Sequence, residues 1–268
     1  RILSRLKVMA GLDIAETRLP QDGRIPLRMG GRQIDTRVST MPGSYGERIV
    51  LRILDRSTGL VPLDQLGLKP AQIDMLERLS ALPNGIILAT GPTGAGKTTT
   101  LYSLLQLANR AERNIVTVED PVEYDLPGIS QSQINASIGM SFAAGLRAAL
   151  RQDPDILLVG EIRDHETAEI ALRAAMTGHM VLSTLHTNDA VSSAMRLVDM
   201  GAEGFLAATA LRAVVAQRLV RRLCDNCYED HEPEPKDLAW IENLLGKEAT
   251  AAMQLKKPVG CHRCNNTG

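Results

Sequence analysis

The chain has 268 residues, 44% of them hydrophobic and 23% charged, with a formal net charge of −1. That is the composition of one large or two smaller soluble domains, each able to bury a core. Near-neutral charge gives no global pull toward nucleic acid or anionic lipid, and aromatics at 3% leave little for stacking on single-stranded bases.

No apolar run approaches the roughly eighteen residues of a membrane span, and no signal peptide is visible. The chain opens on Arg1 and stops just past a cysteine pair, and is read as a segment of a longer protein.

In chain order, a helix is expected over 3–12. From 23 to 54 apolar residues alternate on a two-residue period: Ile25, Leu27 and Met29, then Ile34, Thr36 and Val38, then Ile49, Leu51 and Ile53. With Gly30-Gly31 between the first two runs, this predicts a small antiparallel sheet with a hairpin. Residues 55–69, with Pro62 and several glycines, read as a linker. From 70 to 220 helices alternate with apolar strands, the mark of a parallel sheet covered on both faces. The strands expected are 86–90, 115–119, 156–160 and 180–185. The helices expected are 71–82, 98–108, 142–151, 166–177 and 190–200, with a last long one over 208–223. The remainder, 224–268, is polar, proline-bearing and flanked by cysteines.

Residues 91–98 read Gly-Pro-Thr-Gly-Ala-Gly-Lys-Thr, which fits G-x-x-x-x-G-K-[ST] and lies between an apolar run and a helix-forming run. Glycines let backbone N–H groups curl around phosphate oxygens, and the helix N-terminus adds partial positive charge. Lys97 supplies a point charge to the β- and γ-phosphates, and the Thr98 hydroxyl is suited to Mg²⁺. The nucleotide-binding residues expected here are Gly91, Pro92, Thr93, Gly94, Ala95, Gly96, Lys97, Thr98 and Thr99.

Two strands end in acids. The run Ile156-Leu157-Leu158-Val159-Gly160 leads to Glu161, the position that organises Mg²⁺ beside a phosphate loop, with Arg163 and Asp164 following. Val116-Thr117-Val118 leads to Glu119, Asp120 and Glu123, and hydrolysis needs a base or water-positioning group. Spacing does not choose among these three. His179 and His186 flank the 180–185 strand; a γ-phosphate sensor and an ordinary hydrogen-bonding residue are equal readings.

In order, residues 91–98, 117–123, 157–164 and 178–188 resemble the phosphate loop, Asp box, Walker B and His box of the motor ATPases of type II secretion and type IV pili. Leu19-Pro20-Gln21-Asp22-Gly23-Arg24-Ile25, Arg151-Gln152-Asp153-Pro154-Asp155 and Ala216-Gln217-Arg218-Leu219 extend the resemblance over nearly the whole chain. Within the family, residues 122–129 are most similar to the secretion ATPases, with the pilus-extension ATPases close behind.

The resemblance implies an α/β fold: a RecA-like ATPase domain over 70–223, joined through a linker (57–69) to part of a small N-terminal α+β, PAS-like domain over 1–56. It implies a homo-hexamer, cytoplasmic and peripheral to the inner membrane through secretion-platform proteins that dock a missing N-terminal domain. It also implies that Arg37, Arg52, Arg147 and Arg151 reach nucleotide phosphates, that Glu123 is the base, that Glu161 organises Mg²⁺ and that His186 belongs to the site. Guanidinium forks suit phosphate oxygens; equally, Arg37 and Arg52 alternate away from Val38 and Leu51 and fit a plain outward face.

Cys224, Cys227, Cys261 and Cys264 form two C-x-x-C pairs separated by 33 residues, a spacing that closes a tetrahedral S₄ site on Zn²⁺. A disulfide needs an oxidising compartment that an intracellular ATPase lacks. A tetracysteine zinc module over 224–268 is therefore expected, with a structural role. Pilus retraction motors generally lack such a module.

The leading expectation is an ATP-hydrolysing motor using ATP, Mg²⁺ and Zn²⁺ to drive pseudopilus assembly and protein export. A pilus-extension ATPase and a nucleotide-gated binding module with little turnover are the alternatives. A nucleic-acid translocase is disfavoured by charge and aromatic content, and no nucleic-acid partner is expected.

Overall fold

The computed structural model describes residues 1–55 and 60–268, so part of the expected linker lies outside the described residues. The chain separates into two compact units, Arg1–Arg218 and Leu219–Gly268.

The first unit opens with helix α1 (Ile2–Met9) and strands β1 (Gln21–Met29), β2 (Arg32–Met41) and β3 (Arg48–Asp55) in an antiparallel sheet ordered β1-β2-β3. The hairpin turns at Gly30 and Gly31, whose φ values of 56° and 80° lie in the left-handed region that glycine enters without strain. Alternation decides the faces. Ile25 and Val38 are buried with Ala10, and Leu6, Leu12, Leu27 and Ile49 pack around them. The opposite face carries Arg24, Arg37 and Arg52 side by side in register.

After helix α2 (Pro70–Ser80) the parallel sheet begins. Its strands are β4 (Gly85–Thr90), β5 (Ile115–Glu119), β6 (Ser130–Gln133), β7 (Ile156–Val159), β8 (Met180–Leu185) and β9 (Leu211–Ala216), ordered β6-β5-β7-β8-β4-β9 with every neighbour parallel. Strands β4, β5, β7 and β8 are buried along their whole length. This accounts for their continuous apolar sequences, because helices cover both faces. Helices α3 (Lys97–Ala108), α4 (Phe142–Ala149), α5 (His165–Met176), α6 (Ala190–Asp199) and α7 (Gly204–Ala210) supply those layers. One core joins α4, α5 and α7 to the sheet through Leu146, Leu172 and Leu206; the other joins α3 through Leu101, Tyr102 and Leu105.

The long helix expected over 208–223 does not form. Helix α7 ends at Ala210, and the chain continues directly as edge strand β9 beside β4. Val214 and Val215, branched at Cβ, suit the pleated edge that β4 offers, and tertiary pairing overrides the helix-forming run before them. A second edge strand, β6, was absent from the expectation because Ser-Gln-Ser-Gln carries no hydrophobic period.

The second unit holds a two-stranded antiparallel ribbon, β10 (Tyr228–Asp230) with β11 (Lys256–Pro258), and helices α8 (Pro235–Leu245) and α9 (Lys247–Ala251). Among the described residues, no helix is long and apolar enough to cross a membrane.

Candidate functional site

Every strand of the large sheet runs the same way, so all carboxyl ends meet at one edge, where α/β sheets bind ligands. The loop 91–96 leaves β4 at that edge and enters α3. Gly91, Gly94 and Gly96 all have positive φ (145°, 79° and 83°). At Gly91 the requirement is steric as well: a Cβ would lie 2.4 Å from the Gln217 carbonyl oxygen. Lys97, the first residue of α3, folds back so that Nζ donates to the Gly91 (2.8 Å) and Pro92 (3.1 Å) carbonyls. Burial holds its ammonium below the ordinary lysine range and the Arg218 charge pushes the same way, while Glu161 opposes both.

Glu161 stands two residues past β7. Its Oε1 accepts from Arg163 at 2.6 Å, and His186 Nε2 stands 3.4 Å from Oε2. That separation lacks hydrogen-bond geometry, and Oε2 is buried with no donor. A buried carboxylate oxygen left without a partner is costly, and here it belongs to a strand-end acid whose charge is felt at Lys97. The donor chemistry fits Mg²⁺: a hard carboxylate oxygen without a donor at Glu161, and at Thr98 a hydroxyl in the first turn of α3.

The three acids after β5 differ sharply in environment. Glu119 is buried and accepts from Tyr102 Oη, from Thr117 Oγ1 (2.6 Å) and from Gln131 Nε2 (3.2 Å). Burial raises its carboxyl above the usual range, against the pull of those bonds. Tyr102 in turn accepts from the Glu123 backbone N–H at 3.3 Å and meets Tyr124 edge-on, ring centroids 4.8 Å apart. Glu119 thus locks α3 to the turn carrying Glu123. Asp120 is exposed, and its charge acts on Arg163. Glu123 is half-buried and paired with Arg37 at 2.7 Å. The Asp120–Pro121 peptide is cis.

The remaining expected residues are scattered. Thr99 lies beside Tyr124 and acts against the burial that raises its phenol. Arg52 is exposed on the same sheet face as Arg37. Arg147 pairs with Glu166 of α5, and Arg151 is exposed just after α4. His186 follows β8 at the carboxyl edge, whereas His179 precedes it. The strand puts about 20 Å between them, and His179 Nδ1 lies 3.1 Å from the Ala174 carbonyl at the end of α5. His179 is therefore a hydrogen-bonding residue at the wrong end of the strand for phosphate.

Two side chains given no role by the sequence reading join the site. Gln217 Nε2 donates to the Ala95 carbonyl (2.6 Å), and exposed Arg218 donates to the Asn188 carbonyl (2.7 Å). The segment 216–219 stood within the resemblance, but reading 208–223 as a helix hid its place beside the loop. As a strand, its carboxyl end necessarily borders the phosphate loop. Thr90 completes the local order: it is buried, bonds the Leu185 and Thr187 carbonyls, and its Oγ1 accepts from the Thr187 N–H at 3.0 Å.

In the second unit the four thiols lie within 4.8 Å of one another. Sulfur separations are 3.9 Å (Cys224–Cys261), 3.7 Å (Cys227–Cys264) and 3.8 Å (Cys261–Cys264). A tetrahedral site with Zn–S bonds of about 2.3 Å has edges of about 3.8 Å, so the donor set fits zinc. All four cysteines are free of disulfides. The Cys261 and Gly268 backbone N–H groups bond the Cys264 sulfur, which brings that thiol down to about 6, while burial pushes Cys227 up to about 12.

A parallel sheet feeding a glycine loop into a helix, with an acid on a nearby strand end, defines the phosphate-loop α/β class. Residues 1–268 match the family described as Type II/IV secretion system protein, and the chain belongs to that family, as its motifs indicated. It is 55% identical over 268 residues to type II secretion system protein E of Aeromonas hydrophila, covering 100% of this chain and 52% of that protein. It is 54% identical over 267 residues to type II secretion system ATPase E of Vibrio cholerae, with the same shares. The chain thus spans about half the length of the curated relatives it matches.

Among solved structures, the pilus retraction motor PilT with bound ADP aligns at 33% identity and a TM-score of 0.66, over 87% of this chain and 68% of PilT. The Legionella pneumophila ATPase DotB aligns at 29% identity and a TM-score of 0.62, over 75% of this chain and 58% of DotB.

Proposed function

We propose that this chain is the catalytic part of an ATP-hydrolysing motor for type II secretion, driving pseudopilus assembly and protein export. The observation that carries the reading is Glu161: a part-buried strand-end carboxylate whose buried Oε2 has no hydrogen-bond donor, and whose charge reaches Lys97 in the phosphate loop. The names borne by relatives more than half identical to this chain, a type II secretion system protein E and a type II secretion system ATPase E, support the reading.

In this reading loop N–H groups and Lys97 bind the ATP phosphates. Thr98 and Glu161 hold Mg²⁺, which when bound neutralises charge on the β- and γ-phosphate oxygens. Glu123 takes a proton from the attacking water, the water oxygen bonds to the γ-phosphorus, and the bond to the β-phosphate bridging oxygen breaks, releasing ADP and phosphate. Arg37, Arg52, Arg147 and Arg151 neutralise developing charge. Those left facing away from the loop in one chain act across subunits of a homo-hexamer. His186, beside Glu161, senses the γ-phosphate. The small domain comprises 1–56, the ATPase domain 70–223 and a structural zinc module 224–268. The motor works in the cytoplasm, docked on inner-membrane partners by a domain outside this chain.

One observation favours the second reading, a nucleotide-gated binding module with little turnover of its own: Glu123 is occupied by Arg37. Steady-state phosphate release decides. A motor shows turnover that Lys97→Ala lowers by about 10²-fold or more. Turnover no higher than that variant's, in the presence of a hexamerising partner, refutes the motor.

A further inference from the structure

The end of β9 reaches into the site from the side opposite β8. The Gln217 backbone N–H donates to the Thr90 carbonyl (2.9 Å) and its amide to the Ala95 carbonyl (2.6 Å), so it grips the phosphate loop at both ends. Gly91 lies against the Gln217 carbonyl too closely to admit a Cβ. Arg218 Nη1 donates to that same carbonyl at 3.1 Å, and its Nη2 donates to the Asn188 carbonyl at 2.7 Å, two residues past His186. An exposed guanidinium that spends both ends of its fork on backbone carbonyls is fixing geometry.

We propose that Gln217 and Arg218 form a brace that ties the phosphate loop to the 186–189 segment, making Arg218 a positioning residue through which events at the loop are felt at His186. A change in the loop moves Ala95, held by the Gln217 amide, and Gly91, packed against the Gln217 carbonyl. Arg218 passes the displacement to Asn188, and the segment's other anchor, Thr187 on Thr90, belongs to the strand that carries the loop. The Arg218 charge also bears on Lys97, after burial and Glu161, so the brace and the loop lysine share one electrostatic neighbourhood. The nucleotide arm of this inference rests on the hydrolysis reading; the brace itself does not.

The test is amide hydrogen exchange with and without Mg·AMP-PNP, with nucleotide affinity measured separately by fluorescent ATP-analogue titration. Without nucleotide, Arg218→Ala raises exchange about tenfold in residues 93–96 and 187–189 together, as expected for loss of charge-assisted bonds, while the thermal midpoint is unchanged. Arg218→Lys keeps the charge but loses the fork, and behaves like Arg218→Ala. With nucleotide, the wild-type segment 187–189 gains protection that both variants lack. Unchanged exchange in Arg218→Ala, loosening of one segment alone, or full rescue by lysine overturns the brace. If the wild type binds no nucleotide, the hydrolysis reading fails while the nucleotide-free comparison still decides the brace.

Discussion

Arg37 Nη2 donates to Glu123 Oε2 at 2.7 Å, joining the small sheet to the turn after β5 across 86 residues of sequence. Both side chains are largely buried, at 17% and 30% exposure, and Arg37 Nε is buried without an acceptor. A guanidinium with an unused donor is primed to exchange partners, and a phosphate oxygen is a strong acceptor for it. While the pair stands, Arg37 occupies one oxygen of the carboxylate to which the proposed mechanism gives the water's proton. Phosphate binding by Arg37 would release Glu123 at the moment the γ-phosphate arrives. Glu123→Gln is expected to keep nucleotide binding and lower kcat by about 10²–10⁴-fold. Arg37→Ala is expected to lower kcat as well, since the phosphate loses its cation. Faster phosphate release in Arg37→Ala would reduce Arg37 to a restraint.

Glu161 is expected to show itself through Mg²⁺. Replacing it with Gln removes the charge but keeps the shape, and frees Arg163 from its 2.6 Å partner. Turnover of Glu161→Gln should fall by about 10²-fold, with a Mg²⁺ titration midpoint shifted to higher concentration and nucleotide binding retained. An unshifted midpoint would take the metal away from Glu161.

Removal of zinc is expected to act on one unit. Sulfur separations of 3.9, 3.7 and 3.8 Å already match tetrahedral edges, with all four thiols within 4.8 Å of one another, and metal binding to such clusters contributes directly to folding. A strong chelator should release one zinc per chain and open 219–268 to protease while fluorescent-nucleotide binding persists. Cys264→Ser should do the same without chelator. If protease sensitivity of that unit stays the same after metal loss, the cysteines do not hold it together.

Legibility in the sequence followed burial. Strands β4, β5, β7 and β8 stood out, with bounds right to a residue, because parallel strands buried on both faces are continuous apolar runs. The small sheet was visible in its alternation. The edge strands were not: β6 is all polar, and β9 follows α7 without a breaker, so only pairing with β4 distinguishes it from more helix. That one error concealed the roles of Gln217 and Arg218, although the resemblance had already marked the segment 216–219. The Glu119–Tyr102–Gln131 network was equally invisible, since it exists only where α3, β5 and β6 meet. Among Glu119, Asp120 and Glu123, spacing could not choose; burial sets Glu119 apart as the acid that holds the turn in place.

Glu119 gives a prediction with a definite sign. Burial raises its carboxyl above the ordinary value of 4.5, and bonds from Thr117, Tyr102 and Gln131 offset only part of that. A raised folded-state value means that the folded chain keeps a proton that the unfolded chain has lost. Stability from this group is fully present below about pH 4.5 and is lost as pH rises from there through the folded-state value, where the slope ends. Glu119→Gln cannot ionise, so its urea midpoint should fall less than the wild type's between pH 5 and pH 7. The comparison is of slopes alone, because glutamine also trades one accepting oxygen for a donor beside Tyr102 and Thr117. Equal slopes in the two proteins would mean that Glu119 is already ionised throughout, with its hydrogen bonds outweighing burial.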